Sequence, residues 1–78
     1  MQAIEVTASF ALDGKITPLR FCWRGTLFPV ESTGRCWQEE DGSHILVMVA
    51  SGQIFELLFS GPENRWYMVR SGPDHWAV

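Results

Sequence analysis

Two cysteines, two histidines, and a scatter of arginines and tryptophans are the residues of this 78-residue chain with chemistry to offer. Cys22 is the natural candidate for a nucleophile. A thiol becomes one when a base or a positive charge draws off its proton. The available bases, His44 and His75, both lie far from it in the sequence. Cys22 stands between Phe21 and Trp23, a setting in which cysteine ordinarily serves as a small buried hydrophobe. No glycine-rich phosphate loop, nucleophile elbow or paired catalytic carboxylate motif is present. Glu39, Glu40 and Asp41 are adjacent at a hairpin turn and read as a solvated acidic corner. A zinc site built on Cys22, Cys36 and the histidines would lack the close ligand pair that such sites show. The expectation is a non-enzymatic chain with no catalytic residue, metal or cofactor.

What remains is recognition. Trp23, Trp37, Trp66, Tyr67 and Trp76 offer stacking platforms, and Arg20, Arg24, Arg65 and Arg70 offer forked donors. That mixture suits single-stranded nucleic acid, and equally an extended or proline-rich peptide in an aromatic groove. The formal charge of −3 weighs against nucleic acid, whose binders carry a basic excess. Structural roles compete for the same residues. Arginines on a sheet face pair with cross-strand Glu5, Glu31 or Glu56, and tryptophans such as Trp23 and Trp66 fill minimal cores. Trp37 and Trp76 have polar neighbours near turns, so exposure is expected there. The contact set is therefore Arg20, Arg24, Trp37, Trp66, Arg70 and Trp76. A protein is the expected partner, and a nucleic-acid accessory role is the alternative.

These residues must be positioned by strands. Seven glycines, at 14, 25, 34, 42, 52, 61 and 72, cut the chain into segments too short for most helices. Turn signals every roughly 8–12 residues indicate a small sandwich or barrel. Asp13-Gly14 and Asp41-Gly42 are the pairs that favour type I′ hairpin turns, and Ser51-Gly52, Ser60-Gly61-Pro62 and Ser71-Gly72-Pro73 add turn chemistry. Between the turns the apolar period is two. Ile4, Val6, Ala8, Phe10 and Leu12 share one face of the first strand, and Leu19, Phe21 and Trp23 share one face of the second. Phe28 and Val30 follow in a third strand, where Pro29 marks an edge or a bulge. His44 to Val49 is apolar on both faces and should be central, paired with Ile54 to Phe59. Arg65 to Val69 closes the set. The segment "STGRCWQEED" is too polar and too broken for a helix. About six strands in an antiparallel meander, curled into an SH3-like or similar barrel, are expected as one domain over residues 1–72. Residues 73–78 then form a tail or a short extra strand.

An uncovered outer face on the 44–49 and 54–59 hairpin, carrying Leu46, Met48 and Leu58, would admit a second copy of the chain. "MQAIEVTASF" has neither a basic start nor a continuous apolar core, so it does not read as a secretory signal. No apolar run approaches the length needed to span a bilayer. A cytoplasmic protein with reduced thiols is expected, which also argues against a Cys22–Cys36 disulfide.

Phe21-x-Trp23-Arg24-Gly25, the lone Trp37, Gly52-x-x-x-Glu56-Leu57 and Trp66-Tyr67-x-x-Arg70 with Asp74 behind follow one another in that order. From about Ile4 to Asp74 the chain resembles a family of small bacterial domains of unknown function. Members are often encoded beside, or fused to, Y-family (translesion) DNA polymerase components. The resemblance implies an all-β fold and an association with DNA damage tolerance. It implies no site residue, because the family itself has no assigned function.

Overall fold

The computed structural model describes residues 1–72, so Trp76 and the expected tail or extra strand over 73–78 lie outside the described residues. Seven antiparallel strands form one curled sheet: β1 (Gln2–Ile4), β2 (Val6–Phe10), β3 (Ile16–Trp23), β4 (Thr26–Glu39), β5 (Gly42–Val49), β6 (Ile54–Ser60) and β7 (Arg65–Ser71). The order across the sheet is β1-β7-β6-β5-β4-β3-β2. The architecture is all-β and barrel-like, as the turn spacing predicts. Among the described residues there is no helix, and so none long and apolar enough to cross a membrane.

The seventh strand comes from a break in the first. The alternation Ile4-Val6-Ala8 does face the core, but the chain changes partners at Glu5. Residues before it pair with β7 and residues after it pair with β3, and the Glu5 carbonyl accepts from the Cys22 N–H at 3.0 Å. One short stretch thereby ties the two ends of the sheet order together, which is how a small sheet avoids open edges. The expected apolar face stops at Ala8. Phe10 is exposed, although it meets Phe59 edge-on at 5.4 Å, and Leu12 lies in the turn.

Alternation also fails once within β3. Thr7 pairs with Arg20 and Ala8 with Pro18, so Leu19 is an extra residue in a bulge. A bulge shifts the pleat by one residue. Pro18 and Phe21 are consequently buried while Leu19 and Arg20 are exposed, contrary to the expected Leu19-Phe21-Trp23 face. Beyond the bulge, Phe21 packs against Phe28 and Phe55 with ring centroids 5.4 and 5.0 Å away. Ile45, Val47, Val49, Leu57, Trp66 and Met68 complete the core.

The polar segment 32–39 is strand. β4 runs 14 residues, pairing with β3 through Thr26–Pro29 and with β5 from Val30 to Glu39. Bulges at Glu31 and at Gly34-Arg35 bend it between the two partners. Its outer residues meet solvent, so β4 carries little apolar alternation there. β5 is buried on both faces, as its apolar run predicts, and β6 is buried on both faces as well. Leu46 and Leu58, expected on an uncovered face open to a second copy, are buried, and Met48 is half-buried.

The turns depart from expectation in an instructive way. The type I′ geometry occurs at Arg24-Gly25, with φ of 51° and 79° between the paired residues Trp23 and Thr26. Asp13-Gly14 belongs to a three-residue loop closed by Ala11 and Lys15, with Gly14 at φ 92°. At the β4–β5 corner Glu39 pairs with Gly42, so the loop is Glu40-Asp41. Gly42 has φ 139°, and a Cβ there would stand 2.2 Å from the Phe59 carbonyl oxygen. That glycine is required by close backbone approach.

Candidate functional site

His44 and Glu56 are each the one ionisable side chain in an otherwise apolar strand. In the β5–β6 register His44 faces Leu58 and Leu46 faces Glu56, which sets the two polar residues diagonally on one face. They are 5% and 6% exposed. His44 Nδ1 lies 2.8 Å from Glu56 Oε2, and Arg70, opposite Glu56 on β7, donates from Nε to Glu56 Oε1 at 3.1 Å. The other ring nitrogen, Nε2, lies 2.8 Å from Asp41 Oδ1 and 3.9 Å from Glu39 Oε2. Trp37, directly across from His44 in the β4–β5 register, stacks on the imidazole at 5.3 Å and 14°. Its indole Nε1 donates to Glu39 Oε2 at 2.5 Å, and Arg35 lies over the indole at 5.6 Å.

The electrostatics follow from this geometry. A carboxylate at each ring nitrogen asks both nitrogens to donate, which only the imidazolium form can do. Burial by itself pushes the His44 pKa down. The hydrogen bonds to Asp41 and Glu56, with the charges of Asp41 and Glu39, overcome that and hold it above the usual 6.5. No buried side-chain nitrogen or oxygen among the described residues lacks a partner, so this polar corner meets the condition under which burying charge is tolerable. Glu39, Asp41 and His44 also bring three metal-ligating atoms within 4.8 Å of one another.

Of the expected contact residues, Trp37 and Arg70 are joined through His44 and Glu56. Trp66 is a correction: it is buried in the core against Phe59, at 5.0 Å between centroids, because β7 turns it inward beside Met68. Arg20 and Arg24 lie elsewhere, on and just beyond β3. Arg20 is exposed between Thr7 and Pro29, and Arg24 occupies the turn with its guanidinium 4.9 Å from the Trp23 ring. Neither arginine has an ion-pair partner among the described residues. The Cys22 thiol approaches Glu5 Oε1 at 3.8 Å, and both nitrogens of His44 face carboxylates. Sequence reasoning weighed His44 only as a base for Cys22 or a zinc ligand beside the cysteines. It weighed Glu56 only as a cross-strand partner of arginine, which it is for Arg70, and did not bring the two together. The signal available was one charge-bearing residue in each of two neighbouring apolar strands.

Beside Trp37 the barrel wall opens. β3 and β4 are paired from Arg20–Pro29 to the turn and then diverge. From Val30 onward the β3-side edge of β4 has no ladder partner among the described residues. A cleft of about 220 Å³ occupies the gap, with Lys15 and Ile16 on one wall and Cys36, Trp37 and Gln38 on the other. No protein-family model, curated protein or solved structure matches this chain.

Proposed function

We propose that this chain is a non-enzymatic protein-interaction module that receives an extended segment of its partner along the outer edge of β4, beside Trp37. The observation that carries this reading is a strand edge left without a partner among the described residues, ending at a half-buried tryptophan braced from behind by His44. An unpaired edge offers N–H and C=O groups to an incoming strand, and neighbouring side chains supply selectivity. The bulge at Gly34-Arg35 breaks the regular spacing, so the usable edge is Cys36–Glu39, where pairing with β5 is regular. A fixed indole adds apolar area at low entropic cost, which favours it as an anchor.

The resemblance to domains found beside translesion polymerase components supplies the first partners to try. Immobilised protein should retain its partner when wild type and lose it as Trp37→Ala, with Arg20→Glu/Arg24→Glu retaining it. The second reading, a nucleic-acid accessory role, draws on Arg20 and Arg24, which make no ion pair among the described residues. It requires binding of a single-stranded oligonucleotide that weakens steeply with salt and is abolished by that arginine pair of substitutions. Retention unchanged by Trp37→Ala would remove the leading reading.

A further inference from the structure

We propose that Glu39, Asp41 and His44 form a binding site for a divalent transition-metal cation, zinc by preference, at the β4–β5 corner. This inference does not depend on the docking surface and stands or falls separately.

It begins with a ring that is held still. His44 is 5% exposed, stacks on Trp37, and places Nδ1 2.8 Å from Glu56 Oε2. Glu56 is in turn held by Arg70 at 3.1 Å through its other oxygen. A histidine that gives one ring N–H to a supported carboxylate, and turns its other nitrogen outward, has the arrangement found behind metal-ligating histidines. Neither Glu56 nor Arg70 belongs to the ligand set; both act on His44 as positioning residues.

The outward nitrogen meets converging oxygens. Asp41 Oδ1 is 2.8 Å from Nε2, Glu39 Oε2 is 3.9 Å from it, and the three residues each offer a donor atom within 4.8 Å of the others. Ligand atoms on a tetrahedral zinc with bonds of about 2.0–2.1 Å stand roughly 3.3 Å apart, so small side-chain adjustments suffice. A proton on Nε2 serves Asp41 alone, because Glu39 at 3.9 Å is beyond hydrogen-bond reach. A divalent cation releases that proton to solvent and draws on all three donors. Two carboxylates and a neutral imidazole then balance its charge. Imidazole selects zinc over magnesium or calcium, which take oxygen ligands. Glu39 and Asp41 have side chains 55% and 47% exposed, so a fourth position faces solvent and stays open to water. No other set of three such donors converges among the described residues.

The test is calorimetric titration of the full chain with zinc chloride, paired with NMR of the His44 ring. One equivalent should bind and shift the His44 ring resonances, and magnesium should do neither. Asp41→Asn and Glu39→Gln, both solvent-facing, should each weaken binding at least about tenfold, and Glu56→Gln about 10–100-fold through loss of ring positioning. His44→Asn should abolish it. Because that variant alters a buried residue and endangers the fold, the two exposed variants carry the decision. No binding at excess zinc would overturn the site. So would binding undiminished in the Asp41→Asn/Glu39→Gln double variant, which would place zinc on the cysteines or elsewhere. Equal affinity for magnesium would overturn the imidazole-led preference.

Discussion

His44 owes its raised pKa to its neighbours. Burial opposes the imidazolium, and the Asp41 and Glu56 carboxylates hold it above 6.5 in the folded chain. A group whose folded pKa is raised contributes stability that is complete below its unfolded pKa and is lost as pH climbs through the folded value. Chelator-treated protein should therefore lose stability as pH rises from 6.5 through the raised His44 value, and His44→Gln should flatten that dependence. Denaturant midpoints across this window provide the check; a midpoint that climbs instead would contradict the clamp. Glu56 is the other half of the device. Replacing it with alanine leaves His44 facing a buried gap and should cost about 3–5 kcal/mol, the range for removing one partner of a buried ion pair. Most of that belongs to His44. Arg70 is 60% exposed along its side chain, so its pair with Glu56 is worth at most about 1 kcal/mol. Equilibrium unfolding of Glu56→Ala beside Glu56→Gln separates lost charge from lost shape.

At the scale of elements, much was legible and the exceptions share a cause. The alternation of Phe55, Leu57 and Phe59, and the two-faced apolarity of β5, announce a central hairpin because burial on a pleated strand imposes a period of two. The bulge at Leu19 is not legible, because an extra residue is defined by the partner strand and leaves no mark on its own segment. The outer half of β4 carries no apolar period, since one edge and much of its surface meet solvent, and the Trp37–His44 contact depends on that hidden half. The His44–Glu56 pair shows in the sequence only as one charge-bearing residue in each of two apolar strands, because register brings them together across twelve positions of sequence. Turn type follows the same rule, because strand ends decide which residues become central. Arg24 therefore sits at φ 51°, where a Cβ is strained and Gly and Asn are the residues best tolerated. Arg24→Asn should raise stability by about 0.5–1 kcal/mol, since relief of roughly 1–2 kcal/mol of strain outweighs a surface cation–π contact of about 0.5–1 kcal/mol. The denaturant midpoint should move up with an unchanged slope.

At the scale of the whole molecule, β4 is shared between two halves of a barrel that is closed at one end and splayed at the other. The N-terminal stretch bridges β7 and β3, Phe21, Phe28 and Phe55 fill the closed end, and the divergence of β3 from β4 leaves the cleft beside Trp37. The proposed binding role draws on that division, with a paired wall on one side and one edge of β4 without a ladder partner among the described residues. The most direct measurement is amide hydrogen exchange on this chain with and without a captured partner. Docking along β4 predicts new protection concentrated at Cys36–Glu39, with β6 unchanged. Protection confined to the Arg20 and Arg24 side of β3, or absent from β4 altogether, would contradict it.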